Sequence, residues 1–282
     1  MPAPDRYAVI GHPIAHSRSP QIHALFAQQT DQNMVYSAID VAPEDLTGRV
    51  REFFGAGGRG LNVTVPHKES VIALAGSLSA RAQTAGAANT LVQDAHGRLL
   101  ADNTDGAGLV RDLKHNLRIA VDSLRVLLLG AGGAARGVLA PLLQLKPREL
   151  VIANRSVGRA LALASAFAPL GPVRAAGFAE LDGESFDLII NATAAGLQSE
   201  MPPLPPCLLG TATICYDLAY ASAGSDTRFT QWARAHGAAQ AHMGLGMLVE
   251  QAAESFFLWR GVRPDTAPVL SALGAQVAHG AH

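Results

Sequence analysis

The run Gly130-Ala131-Gly132-Gly133-Ala134-Ala135 follows the apolar stretch Arg125-Val-Leu-Leu-Leu129 and opens a helical pattern that continues through Gln144. This is G-x-G-x-x-A in the strand, turn and helix context that a dinucleotide site needs. Gly130 permits the tight turn, Gly132 lets the backbone approach a pyrophosphate, and Ala135 allows close helix packing at a helix N-terminus that attracts the anion. An NAD site ordinarily carries an acid about 20 residues further on, on the ribose 2′-hydroxyl. Here the next strand ends Ala153-Asn154-Arg155-Ser156, with Arg159 one helical turn beyond and no acid. Two guanidinium forks suit a 2′-phosphate dianion, so the spacing predicts NADP as the cofactor.

Three polar runs lie upstream. Gly11-His-Pro-Ile-Ala-His16-Ser17-Arg-Ser19-Pro20 precedes a helical pattern. Ser19 with Pro20 reads as a helix start, whereas two hydroxyls beside a helix N-terminus would also suit a carboxylate. His12 and His16 have no third ligand and Pro13 breaks helical spacing, so no metal is expected. Asn62-Val-Thr64-Val-Pro66-His67-Lys68 puts Asn62 and Thr64 on one face of a strand stopped by Pro66, with Lys68 opening a helix. A lysine so placed is ordinarily a surface charge. Asn89-Thr90 and Asp102-Asn103-Thr104-Asp105-Gly106 complete the set, and Asp105 could equally cap the next helix.

Short apolar runs such as Tyr7-Ala-Val-Ile10, Leu61-Asn-Val-Thr-Val65 and Leu150-Val-Ile-Ala153 alternate with longer Ala/Leu-rich stretches, an α/β signature that favours parallel strands joined by crossover helices. At 282 residues two domains are expected, since a domain averages roughly 150 residues. We divide the chain into residues 1–104, a Rossmann-like unit over 105–242, and C-terminal helices over 243–282 that return to the first lobe. Leu248, Val249, Ala252, Phe256 and Phe257 would there bury an apolar face. The proline-rich run Glu200–Cys207 excludes helix and central strand. Hydrophobic residues are 49% of the chain and charged ones 16%, which excludes disorder. A net charge of −1 gives no field for nucleic acid, and no apolar stretch reaches membrane-spanning length. With no leader pattern, and with Cys207 and Cys215 too few for a disulfide scaffold, a cytoplasmic setting is expected.

Together these residues resemble the shikimate dehydrogenase family. The resemblance runs from Tyr7 to about Leu270 through GHPIAHSRSP, NVTVPHK, AGAANT, DNTDG, GAGGAAR, NRSVGR, INAT, YDLAY and GLGMLVEQA, in that order. It implies an N-terminal substrate-binding lobe, a Rossmann-like NADP-binding lobe, and NADPH-dependent reduction of 3-dehydroshikimate to shikimate in aromatic amino acid biosynthesis. It implies that Lys68 and Asp105 form the catalytic pair. Ser17 and Ser19, helped by Tyr220, would hold the substrate carboxylate. Asn62, Thr64, Asn89 and Gln251 would bind ring hydroxyls. Leu218 and Gly244 would line the nicotinamide side, with Thr193 of INAT also on the cofactor. His67, Ala88 and Ala219 depart from the commonest family pattern, and none of them removes a catalytic group. The partners implied are small molecules, with the enzyme a monomer or a homodimer.

Two other readings stand beside this one. A quinate/shikimate dehydrogenase would accept quinate and often NAD; Arg155 and Arg159 argue against its NAD-using form. A catalytically silent NADP-binding regulatory protein would have no chemical need for both Lys68 and Asp105.

Overall fold

The computed structural model describes residues 2–193, 201–221 and 226–279. Two six-stranded sheets form two lobes. The first lobe contains β1 (Asp5–Gly11), α1 (Ser19–Gln29), β2 (Met34–Asp40), α2 (Leu46–Gly55), β3 (Gly58–Val63), β4 (Ser77–Leu78), α3 (Ala80–Ala85), β5 (Thr90–Gln93) and β6 (Leu99–Asp102), in the strand order β2-β1-β3-β5-β6-β4. The β1, β2 and β3 strands are parallel, but β5 is antiparallel to both β3 and β6, which corrects the expectation of parallel strands throughout. The physical reason is the connection: only Asp94 to Arg98 joins β5 to β6, too short for a crossover helix, so the chain turns back as a hairpin. Asp94 closes that hairpin by accepting from the His96 and Arg98 amides, both at 2.9 Å.

From α4 (Asp105–Arg111) the chain widens into a π turn over Asp112–Asn116 and enters the second lobe. There β7 (Arg125–Leu129), α5 (Gly133–Gln144), β8 (Glu149–Ala153), α6 (Val157–Phe167), β9 (Val173–Ala176), β10 (Phe186–Asn191), β11 (Leu209–Asp217), α7 (Arg228–Ala235) and β12 (Gln240–Met243) build an all-parallel sheet, ordered β12-β11-β10-β7-β8-β9. The β7 strand reads as a continuous apolar run because both its faces are covered. Val126 and Leu128 join a core with Val138 and Leu142 of α5, while Leu127 and Leu129 join another with Phe229 of α7. Strand order reverses between β7 and β10, opening a crevice at their carboxyl ends. Of the proline-rich run, Glu200 lies outside the described residues; the remainder leads through a single turn at Pro206–Leu208 into β11.

The last helices, α8 (Leu245–Arg260) and α9 (Ala267–His279), pack on the first lobe. Val249, Ala252 and Phe256 of α8 share one core with Ile22 and Phe26 of α1 and with Val269 and Leu273 of α9. On the other face of that sheet, Ala8, Ile10, Leu61 and Val63 pack on Val50, Phe53 and Phe54 of α2. Phe257, read from its spacing as part of the buried face, instead points outward under the Arg263 guanidinium, 4.9 Å from the ring centroid. The buried stripe of α8 is therefore narrower than the spacing suggested, with Phe256 inside it and Phe257 outside.

Candidate active site

The Lys68 ammonium donates to Asp105 Oδ2 at 2.6 Å, with the Asp105 side chain buried and that of Lys68 largely so. Lys68 does not open a helix as expected. It lies in a turn that precedes a short 3₁₀ segment at Ser70–Leu74, because Pro66 and the Thr64–His67 turn bend the chain first. Asp105 is not a helix cap either: it is the first residue of α4, with Thr104 at the cap position, and its amide donates to Asn103 Oδ1 at 3.1 Å. The carboxylate is therefore free to face Lys68. Asn103 is itself pinned by donating to Ala87 O at 2.9 Å.

Asn89 links the pair to the C-terminal helix. Its Nδ2 lies 3.0 Å from Asp105 Oδ1, 3.0 Å from Gln251 Oε1 and 2.8 Å from Thr104 Oγ1. Gln251, on α8, is almost fully buried. Asn62 is buried as well, its amino group 2.9 Å from Ser255 Oγ and its carbonyl accepting from the Tyr36 hydroxyl at 2.7 Å. Thr64 follows directly on β3, its amide bonded to Ile10 O at 2.9 Å. The serines stand at the other end of this polar strip. Ser19 is the first residue of α1 and not its cap, which is Arg18; Ser17 Oγ instead accepts the Ser19 amide at 3.3 Å. Tyr220 reaches across from the second lobe, its hydroxyl accepting from the Arg18 amide at 3.3 Å. Burial raises the Tyr220 phenol above its usual pKa, so it remains a donor. His12, considered and rejected as a metal ligand, is tied to Asp40 at 2.5 Å.

The Gly130–Ala135 turn faces this strip. Gly130 takes φ +106°, in the left-handed region, and its α-carbon packs on the Ala192 carbonyl, so a side chain there is excluded twice. Nothing lies within 4 Å of the place a Gly132 Cβ would occupy, which leaves open space before the amides of the α5 N-terminus. Gly133 lies against the stem of Lys68, where a Cβ would come within 2.8 Å of Lys68 Cβ. Ala131 and Ala135 are buried behind the turn, and Ala134 packs at the edge of the same core. Thr193 is fixed by its own amide and hydroxyl, which reach Asn191 Oδ1 at 3.2 and 2.7 Å. Leu218 donates its amide to Asn191 O at 2.8 Å, and Gly244, the cap of α8, donates to Ala219 O at 3.0 Å.

Asn154, Arg155, Ser156 and Arg159 lie where β8 ends and α6 begins. Asn154 Nδ2 donates to Ser156 O at 3.0 Å, and Arg155 is exposed. Ser156 occupies the cap position of α6 without a side-chain capping bond. Arg159 lies 3.6 Å from Glu69, the residue after Lys68, and Arg136 lies 3.5 Å from the same carboxylate.

Comparison with known proteins decides the lineage. A model of the shikimate dehydrogenase substrate-binding domain matches residues 9–91, one of the shikimate/quinate 5-dehydrogenase domain matches residues 113–198, and one of the shikimate 5′-dehydrogenase C-terminal domain matches residues 244–273. The shikimate dehydrogenase (NADP(+)) of Methylococcus capsulatus is 55% identical over 98% of both chains. The chain belongs to the shikimate dehydrogenase family. The corresponding family member of Alkalilimnicola ehrlichii is 56% identical over 95% of this chain and 98% of its own. Among solved family structures, that of Thermus thermophilus shikimate 5-dehydrogenase in complex with NADP(H) and shikimate superimposes with a TM-score of 0.84 at 37% identity, covering 96% of this chain and 99% of its own.

Several groups in the site were assigned no role of their own from the sequence: Tyr36, Thr90, Asn103, Thr104, Ser255, Asn191 and Asp217. Ser255 had a usable signal, since it lies four residues after Gln251 and so on the same helix face. Asn191 and Asp217 stand inside the INAT and YDLAY motifs, and they are register partners at the ends of β10 and β11. Asp217 Oδ1 accepts from Asn191 Nδ2 at 3.0 Å and from the Ala219 amide at 3.1 Å. Tyr36 had no signal, and Thr90, though located in the Asn89-Thr90 run, had none for its role, because both depend on contacts between segments distant in sequence.

Proposed function

We propose that this chain is a shikimate dehydrogenase catalysing the NADPH-dependent, reversible reduction of 3-dehydroshikimate to shikimate in aromatic amino acid biosynthesis. The observation that carries this reading is the buried Lys68–Asp105 pair at 2.6 Å, bonded through Asn89 to Gln251 and seated against Gly133 of the turn.

The residues at the crevice fit NADP. The open face of Gly132 and the free amides of α5 would take the pyrophosphate. Arg155 and Arg159 would hold the 2′-phosphate, with Asn154 and Ser156 beside them. Ala131, Gly133, Ala134, Thr193, Leu218 and Gly244 would form the walls. NADPH supplies the hydride. When the substrate carbonyl oxygen becomes an alkoxide, the Lys68 ammonium stabilises and protonates it, and Asp105 orients that ammonium. Ser17, Ser19 and Tyr220 anchor the carboxylate, while Asn89, Gln251, Thr64 and Asn62 set the ring hydroxyls. Anchoring both ends of the ring fixes the carbonyl carbon against the nicotinamide, which is the positional part of catalysis. On this reading the substrate lobe comprises residues 1–104 with 243–282, and the cofactor lobe 105–242.

A cytoplasmic setting goes with this function and is supported by two unpaired thiols, Cys207 and Cys215. No helix among the described residues is long and apolar enough to cross a membrane. The enzyme acts as a monomer or a homodimer.

The test is steady-state kinetics on the purified protein with the four pairings of NADP or NAD with shikimate or quinate, followed by reduced-nicotinamide absorbance. The reading expects kcat/KM to be dominated by NADP with shikimate. Efficient quinate turnover would reassign the chain to the quinate-using branch, and no turnover with any pair would make it a binding protein.

A further inference from the structure

Tyr36 lies on β2, outside every motif that carries the family resemblance. Its hydroxyl donates to Asn62 Oδ1 at 2.7 Å. Together with the Asn89 main-chain carbonyl, which accepts from Asn62 Nδ2 at 3.1 Å, that bond fixes which way the Asn62 amide faces, because an amide has one accepting end and one donating end. The donating end then meets Thr90 Oγ1 at 3.2 Å. Thr90 passes its proton on to Asn89 Oδ1 at 2.9 Å, and the Thr104 amide donates to the same oxygen at 2.8 Å. With its carbonyl so occupied, Asn89 turns its amino group toward Asp105 Oδ1 and Gln251 Oε1, both at 3.0 Å. Tyr36, Asn62, Thr90 and Asn89 thus form a chain of donors running in one direction and ending on the carboxylate that pairs with Lys68.

The start of the chain is held in place. The Tyr36 ring stacks on His23, with centroids 4.1 Å apart and planes 6° from parallel. His23 is fully buried, and burial pushes its pKa down to about 3, so the stacking partner carries no charge. Burial also raises the Tyr36 phenol well above its usual pKa, and it remains a donor.

We propose that Tyr36 is a positioning residue for the substrate: its hydroxyl closes the outer end of the Asn62–Thr90–Asn89 chain, holds the Asn62 carboxamide and thereby steadies the groups that meet the substrate hydroxyls. The inference rests on the proposed shikimate reaction. Reversing the Asn89 amide would present an acceptor to Asp105 in place of a donor, and the Thr104 amide on Asn89 Oδ1 opposes that reversal, so the chain has one productive direction.

The test compares wild type, Tyr36→Phe, Asn62→Ala and the double variant, and reads kcat, KM for each ligand, calorimetric shikimate binding and melting temperature. Loss of one hydrogen bond predicts that Tyr36→Phe raises KM for shikimate roughly three- to tenfold. The KM for NADP should stay within about twofold, because none of Tyr36, Asn62, Thr90 and Asn89 is among the residues proposed to hold the cofactor. In the Asn62→Ala background the same change should weaken shikimate binding no further, since Tyr36 acts through Asn62. Thr90→Val, which breaks the chain one link later, should reproduce the split, and Thr90→Ser should restore it. A lowered melting temperature with unchanged KM in Tyr36→Phe would overturn the proposal, as would losses that multiply in the double variant. If wild type itself fails to reduce NADP with shikimate, the proposed reaction is wrong, a failure distinct from this one.

Discussion

At the scale of single residues, the site is a set of buried polar groups whose protonation and orientation are set by immediate neighbours. Lys68 owes its position to Asp105 and to the bare α-carbon of Gly133. If it stabilises and protonates the alkoxide, Lys68→Ala should lower kcat by roughly 10²- to 10⁴-fold while shikimate binding, read by calorimetry, weakens much less. Asp217 makes a different kind of prediction. Burial pushes its pKa up from the usual 3.8 to about 6, although Thr227, the Ala219 amide and Asn191 pull it down. The unfolded chain releases this proton near pH 4 and the folded chain only near pH 6, so Asp217 makes folding progressively less favourable as pH rises through that window. Above it the cost levels off at about 3 kcal/mol, from about two pKa units at 1.36 kcal/mol each. Asp217→Asn keeps an acceptor for Asn191 and Ala219 and removes the charge. Its melting temperature should therefore exceed that of wild type at pH 8 and match it at pH 4. An equal gap at both values would mean that ionisation is not the source.

At the scale of elements, glycines let the helices bring their polar termini together. The α4 and α5 helices cross so closely that a Cβ on Gly137 would stand 2.8 Å from Asn103 Oδ1 and 2.9 Å from Asp105 Oδ2. No side chain can occupy that place unless the carboxylate moves. Gly137→Ala should accordingly leave the fold intact by circular dichroism yet lower kcat/KM by roughly tenfold or more, since displacement of about 1 Å in a catalytic group is already costly. Activity within twofold of wild type would show that α4 can shift without disturbing Asp105. The hairpin from β5 to β6 belongs to the same scale. It brings Thr90 opposite Asp102 in register, so the two polar runs at Asn89-Thr90 and Asp102–Asp105 arrive side by side. Arg81 then fixes the base of that junction by bonding both Asp102 oxygens, at 3.0 and 2.6 Å.

At the scale of the whole molecule, the C-terminal helices complete the first lobe and bring Gln251 and Ser255 to a network whose other members lie some 150 to 190 residues earlier. Phe256 is fully buried among Ile22, Phe26, Val269 and Leu273. Phe256→Ala should cost about 3–5 kcal/mol of unfolding free energy in a urea titration, and a loss below about 1 kcal/mol would mean that α8 is not integral to that core.

Sequence alone determined the features that are local in the chain. The strand, glycine turn and helix at Arg125–Gln144 were legible because a dinucleotide turn is a contiguous pattern, and the basic Asn154–Arg159 segment because its chemistry needs no partner. The polar runs could be located but not assembled, since a lysine after a strand and a glutamine on a helix are ordinarily solvated. Tertiary structure decided that Lys68 meets Asp105, that Gln251 is buried on Asn89, and that the Tyr36 hydroxyl bonds Asn62. Each of these depends on distances between segments remote in sequence, and a hydrogen bond acts only over about 3 Å. The antiparallel turn of β5 and β6 and the outward Phe257 were likewise settled by packing, which local periodicity does not encode.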